Sequence, residues 1–158
     1  MTARFHDQQR HALFAGSFNP FTAGHASVLE RALQLFDKVT VAVGVNPDKP
    51  ASHAEELVAA IRALYVGDSR VDVLQYSGEL TVDLALRIGA RWLVRGVRSV
   101  KDFEYERDMA DVNRRLAGIE TVIFTTLPEH AAISSSLLRE LASYGRDISE
   151  FLPQSHNL

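Results

Sequence analysis

The stretch Ala12-Leu13-Phe14-Ala15-Gly16-Ser17-Phe18-Asn19-Pro20-Phe21-Thr22-Ala23-Gly24-His25 decides the fold. Its apolar start, Ala12 to Ala15, reads as a strand. Just beyond its end Val28, Ala32, Leu35 and Phe36 recur three or four residues apart, the spacing of one helical face. Between the two, Gly16 and Gly24 remove side chains where a ligand could approach the backbone, Pro20 blocks helix continuation, and Thr22 suits a helix N-cap. His25 then falls in the first helical turn, beside backbone N–H groups that lack intrahelical partners and attract anions. Strand, glycine-bearing turn and helix start, in that order, form the place where an α/β protein holds a phosphate.

Working outward, the β-branched run 38–45 reads as a strand covered on both faces, and it ends at Asn46-Pro47-Asp48-Lys49-Pro50, where two prolines force a loop. Residues 54–66 read as a helix, 70–76 as a third strand, 80–90 as a short helix and 91–94 as a fourth strand running into Arg95-Gly96-Val97-Arg98. From 102 to 116 the residues Tyr105, Met109, Val112 and Leu116 recur at helical spacing, with Gly118 in the stop position. A fifth strand over 121–125 and a helix over 134–144, stopped by Gly145, complete the pattern. Strands alternating with helices at this spacing imply βαβ units. The expectation is a single doubly wound α/β domain over 11–153, with a five-stranded parallel sheet in the order 3-2-1-4-5 and helices on both faces. Residues 1–10 are expected as a loose extension and 154–158 as a tail. Ligands in such sheets bind beyond the carboxyl ends of the strands, where the strand order reverses. Gly16-Ser17, Lys49, Ser77 to Thr81, Arg95 to Arg98 and Ser134 to Ser136 each follow a strand, so all fall on that edge.

With 158 residues, 46% of them hydrophobic, the chain can bury one good core. A net charge of −3 and a pI near 6.1 give no general attraction to nucleic acid or to an anionic membrane, so a phosphate site must be local. The absence of cysteine excludes disulfides and thiolate chemistry and fits a cytoplasmic protein. Met1 to Arg10 is polar and lacks the apolar core of a signal peptide, and no apolar run approaches a membrane span.

Five groups of residues carry chemistry. His25, beside the helix start, can donate to an oxygen that gains charge during a reaction. Arg95 and Arg98 flank Gly96, which lets a loop backbone approach a ligand, and guanidinium groups match phosphate oxygens in pairs. Lys49 sits in the loop after the second strand, where a surface lysine is equally ordinary. Ser134-Ser135-Ser136 needs only one serine for an N-cap and offers the rest to a second phosphate. Glu106 and Asn113, seven residues apart, share a flank of the fourth helix, which can also be plain solvent-facing surface. The six histidines show no tight ligand spacing, and neither a Gly-x-x-x-x-Gly-Lys-Ser/Thr loop nor Gly-x-Gly-x-x-Gly occurs.

Gly16 to Pro20 followed by Thr22-Ala23-Gly24-His25 resembles the signature of the small-molecule nucleotidyltransferases, whose Thr/His-x-Gly-His motif binds ATP phosphates. Arg95-Gly96-Val97-Arg98, Asp102-Phe103-Glu104-Tyr105-Glu106, Asn113-Arg114, Ile133 to Ser136, Asp147-Ile148 and Phe151-Leu152-Pro153 narrow this. In that order and spacing they resemble the bacterial phosphopantetheine adenylyltransferases from residue 11 to 153.

The resemblance implies transfer of AMP from ATP to 4′-phosphopantetheine, giving dephospho-coenzyme A and pyrophosphate, by direct in-line attack without a covalent enzyme intermediate. It implies Mg2+ as cofactor, with no side-chain ligand assigned. Carried over by position, Ser17, Phe18 and His25 would contact ATP, His25 steadying the transition state. Gly96, Val97, Arg98, Glu106 and His130, Ala131, Ala132, Ile133, Ser134, Ser135 and Ser136 would complete the nucleotide site. Ser17, Lys49, Thr81 and Arg95 would hold the acceptor, with Asn113 nearby. The resemblance also brings a cytoplasmic homohexamer and coenzyme A as a feedback ligand, with neither nucleic acid nor membrane as partner.

Four departures stand out. Asn19 replaces the family's usual aspartate, the loop over 51–57 is shortened, His130-Ala131-Ala132 lacks an aromatic beside adenine, and the chain stops soon after Pro153. Nicotinate mononucleotide adenylyltransferase shares the first motif but fits the Arg95 to Glu106 block less well, and a cytidylyltransferase fits less again. A silent nucleotide-binding module is the alternative from another class, and the retained His25, Arg98 and serines argue against it.

Overall fold

The computed structural model describes residues 8–48 and 51–154. Five strands alternate with five helices: β1 (His11–Gly16), α1 (Ala23–Ala32), β2 (Lys38–Gly44), α2 (Ala51–Leu64), β3 (Val71–Tyr76), α3 (Thr81–Ile88), β4 (Trp92–Val97), α4 (Val100–Ala117), β5 (Glu120–Thr125) and α5 (Ser135–Ser143). All pairings are parallel and the sheet order is β3-β2-β1-β4-β5, the doubly wound arrangement expected from the βαβ pattern.

Alternation along β1 builds both cores. Ala12 and Phe14 point to the face covered by Val28, Leu29 and Ala32 of α1 and by Val58 and Ile61 of α2. Leu13 and Ala15 point to the other, against Val82, Leu84 and Ala85 of α3 and Ile119. Strand β2 is buried along its interior on both faces, as its continuous β-branched run requires. Each fully buried leucine, such as Leu13, Leu29 or Leu84, contributes about 1.5–3 kcal/mol through removal of apolar surface from water. Among the described residues no helix is long and apolar enough to cross a membrane.

Three features differ from expectation. Helix α1 ends at Ala32 with Leu33 as its C-cap, so Phe36 packs into the core from the following turn while Leu35 stays exposed. Strand β4 continues through Arg95, Gly96 and Val97, because β5 pairs with it as far as Val97↔Thr125. Gly96 is therefore a strand residue rather than a loop residue. Its missing side chain also serves packing, since a Cβ there would meet Val28 Cγ2 at 3.0 Å. The third concerns α4, whose apolar stripe does not face the core. Tyr105 and Leu116 are 64% and 66% exposed, Met109 and Val112 also face outward, and the one buried residue of this helix is Glu106. Gly118 ends α4 as anticipated, at a φ of 67° that a side chain would resist.

The sheet opens at one place. Strands β1 and β2 stay paired to Gly16↔Val43, whereas β1 and β4 pair only at Ala12↔Trp92 and Leu13↔Leu93. Past Leu13 the two central strands part at their carboxyl ends, the switch point where the order reverses and a crevice forms.

Candidate active site

A cavity of about 520 Å3 fills that crevice. The carboxyl ends of β1 and β4 form its floor through Phe14, Ala15, Gly16, Arg95 and Gly96. Its walls come from the starts of α1, α4 and α5, with Thr126 and Ile133 beside them. Three helix N-termini and several cations thus surround one space, which suits a polyanion.

At the start of α1, Thr22 is the N-cap, and its hydroxyl accepts from the His25 N–H at 3.2 Å. In return the Thr22 N–H donates to His25 Nδ1 at 3.0 Å, closing a capping box in which histidine takes the place of the usual Glu or Gln. Because Nδ1 accepts, the ring proton resides on Nε2. The rings of Phe14, Phe18 and Phe21 surround the imidazole, with centroids 6.4, 5.0 and 5.6 Å away. Burial, and then the charges of Arg98 and Arg95, push its pKa down to about 4. At neutral pH His25 is a neutral Nε2–H donor in a largely apolar collar.

Phe18 adopts a φ of 45°, in the left-handed region that a bulky side chain resists, and this turns its ring into the core at 2% exposure. Gly16 makes room for that ring, since a Cβ would lie 3.1 Å from it. Gly24 is different: a Cβ there would meet only ordinary contacts at 3.5 and 3.6 Å, so the protein's own packing does not require glycine. Gly24 lines the cavity, where its smallness leaves room for a ligand.

Arg95 crosses the gap between the parted strands. Nη1 donates to the Ala15 carbonyl at 2.7 Å, while Nε and Nη2 donate to Glu106 Oε2 and Oε1 at 2.9 and 2.7 Å. Arg98 donates from Nη1 to the Ile133 carbonyl at 3.3 Å, and its backbone N–H donates to Asp102 at 3.1 Å. On α5, Ser134 is the N-cap and its hydroxyl accepts from the Leu137 N–H. The Ser135 hydroxyl donates to the Pro20 carbonyl at 2.9 Å, and Arg139 donates to the Asn19 carbonyl, so α5 holds the turn that precedes α1.

Of the residues singled out by sequence, Ser17, Phe18, His25, Arg95, Gly96, Arg98, Glu106, His130, Ile133 and Ser134 to Ser136 line the cavity. Val97, Ala131, Ala132 and Asn113 stand outside the lining, as does Asn19. Val97 is buried below the site, and its carbonyl accepts from both the Thr126 N–H and the Thr126 hydroxyl, at 2.8 and 2.9 Å. Thr81 starts α3 and shares a hydrogen bond of 3.0 Å with the Tyr76 hydroxyl, while the Tyr76 ring lies over Gly44. Lys49 lies outside the described residues. Sequence reading missed Thr22 as a wall residue, together with Lys101, Asp102, Tyr105 and Thr126. The pattern Ser99-x-x-Asp102, a helix start directly after β4, was the available signal for three of these.

The cavity holds two carboxylates, Asp102 and Glu106, each engaged with an arginine. Among the described residues no three His, Cys, Asp or Glu side chains gather as a metal cage. A divalent cation here would meet carboxylates already paired with arginines, so it would have to bring phosphate oxygens and water as its ligands.

A family model described as cytidylyltransferase-like matches residues 13–141. A phosphopantetheine adenylyltransferase of Bacteroides thetaiotaomicron is 47% identical over 149 residues, spanning 92% of this chain and 96% of the relative. One of Porphyromonas gingivalis is 51% identical over 144 residues, spanning 90% and 94%. Among solved structures, one described as a nicotinate-nucleotide adenylyltransferase of Vibrio parahaemolyticus superposes with a TM-score of 0.66 over 93% of this chain and 88% of its own, at 21% identity. That likeness concerns the fold.

Proposed function

The chain belongs to the cytidylyltransferase-like nucleotidyltransferases and, within them, to the phosphopantetheine adenylyltransferases, and on that premise we propose that it transfers AMP from ATP to 4′-phosphopantetheine. The identity of 47–51% across nearly the whole of both chains carries this reading. The products are dephospho-coenzyme A and pyrophosphate.

An acceptor phosphate is already an anionic nucleophile, so the transfer needs neither a general base nor a covalent enzyme intermediate. Placement of the two substrates and stabilisation of developing charge must supply the rate. His25 Nε2–H and the free N–H groups at the start of α1 donate to the α-phosphate, where charge grows during in-line attack. Arg98 and the start of α5 hold the phosphates that leave as pyrophosphate. Arg95 receives the acceptor phosphate at the floor of the crevice. A magnesium ion bound with the triphosphate would supply further charge neutralisation there. The neutral state of His25 suits its part, because a donor fixed by Thr22 needs no reorientation as charge develops.

Tyr105 stands on the cavity rim and Met109 follows one helical turn later, so an exposed apolar strip leads away from Arg95. This favours an acceptor with a long, largely uncharged arm behind its phosphate. Coenzyme A, which contains both halves of the product, competes for the same crevice. A cytoplasmic hexamer is the assembly we propose, from the same family membership.

Incubation with ATP, magnesium and 4′-phosphopantetheine tests the reading by release of pyrophosphate. Release with that acceptor and none with nicotinate mononucleotide is the expected result. Release with the nucleotide acceptor alone would move the chain to the other branch of the fold, and none with either would make it a binding module.

A further inference from the structure

Arg95 is an unusual cavity cation, because most of its donors are already committed. Nε and Nη2 are held by the two oxygens of Glu106, and one N–H of Nη1 is held by the Ala15 carbonyl. A guanidinium carries five N–H donors in one rigid plane. One N–H on each Nη therefore stays open. Glu106 is 8% exposed on a helix whose other residues are less buried, and its carboxylate meets Arg95 at 2.7 Å. Burying a carboxylate is costly unless it is paired with good geometry, and here the pairing is bidentate.

The location gives the pair its use. The β1/β4 ladder ends at Leu13↔Leu93, so the Ala15 carbonyl has no strand partner on that side, and the Arg95 side chain occupies the place. Glu106, from α4, braces the opposite edge of the same plane. The charges of Arg95 and Glu106 largely cancel, so what Arg95 presents to an anion is direction more than net charge.

We propose that Glu106 is a positioning residue for the phosphate of the acceptor and acts only through Arg95. It fixes the guanidinium plane so that the two open N–H groups, one on each Nη, meet two oxygens of one phosphate. This rests on the adenylyl-transfer reading above and deepens its acceptor half. It places Glu106 behind Arg95 rather than against the nucleotide.

The test measures ATP and 4′-phosphopantetheine binding separately by calorimetry, together with both KM values, for wild type, Glu106→Gln, Arg95→Ala and the double variant. Glu106→Gln should raise the KM for the acceptor about tenfold while ATP affinity stays within about twofold, and in the Arg95→Ala background it should change nothing further. An equal loss of ATP affinity, or an undiminished effect without Arg95, overturns the assignment. Thermal midpoints are taken first. If Glu106→Gln unfolds below the assay temperature, Glu106→Asp, which keeps the charge opposite Arg95 but shortens the reach of the carboxylate, replaces it. There, a raised acceptor KM with unchanged ATP affinity supports the assignment, and an unchanged acceptor KM or an equal loss of ATP affinity overturns it. Failure of the underlying reading looks different: wild-type protein then gives no heat with the acceptor, and the assignment falls with it.

Discussion

The backbone N–H of Thr22 donates to Nδ1 of His25 at 3.0 Å, so the residue that caps α1 also selects the tautomer of the ring beside it. One short segment thereby starts the helix, orients its N–H groups and leaves Nε2 as the donor nitrogen of the imidazole.

His25→Ala should lower turnover by roughly a hundredfold or more while changing ATP affinity much less, because the donor is aimed at charge that develops only during reaction. Steady-state kinetics with ATP as the varied substrate separate the two effects. Equal loss in binding with unchanged turnover would count against a transition-state role.

His25 titrates near 4 in the folded protein, below its ordinary value of 6.5, and burial lowers the pKa of His11 as well. Between those two values the unfolded chain binds the His25 proton and the folded chain does not. The contribution is thus intact above about pH 6.5 and is lost as the pH falls toward 4. The thermal midpoint should drop by about 5 °C between pH 7 and pH 5, and His25→Asn should flatten that slope.

Gly96→Ala would set a methyl 3.0 Å from Val28 Cγ2, on a β-branched side chain with little rotamer freedom in a helix. We expect a loss of about 1–3 kcal/mol in denaturant unfolding, from overpacking between α1 and β4. Val28→Ala in the same chain should recover part of it. Absence of that recovery would show that Gly96 is required for something other than room.

Ser135→Ala removes the hydroxyl that donates to the Pro20 carbonyl. The expected cost is about 1 kcal/mol of stability, with a higher KM for ATP because the turn leading into α1 loses a tether. Arg139→Ala, which frees the Asn19 carbonyl, should act in the same direction, and the two effects should not add fully, since both tethers hold one turn.

Much of this was legible in the chain because it depends on local periodicity. The run from Ala12 to Ala15, the β-branched stretch 38–45, one residue longer than the observed strand, and the stops at Gly118 and Gly145 each encode an element within a few residues. The rule that doubly wound sheets bind at their carboxyl edge then brings Gly16, Arg95, Arg98 and the serines to one edge from their positions in the chain alone. Helix α4 was the least legible element. Its stripe from Tyr105 to Leu116 has the spacing of a core face, yet it points outward, because periodicity tells which residues share a face and not what lies opposite.

By itself, then, the sequence determined the α/β class, the parallel order of its units and the family signature around His25, all carried by contacts within a few residues or by fixed spacing. Tertiary structure alone decided the task of each polar side chain. Arg95 and Glu106 are eleven residues apart, Arg95 and Ala15 eighty, and Ser135 and Pro20 one hundred and fifteen, and each pair meets only when the strands and helices pack. A hydrogen bond depends on distance and direction in space, and a linear spacing can specify neither once the chain has turned back upon itself.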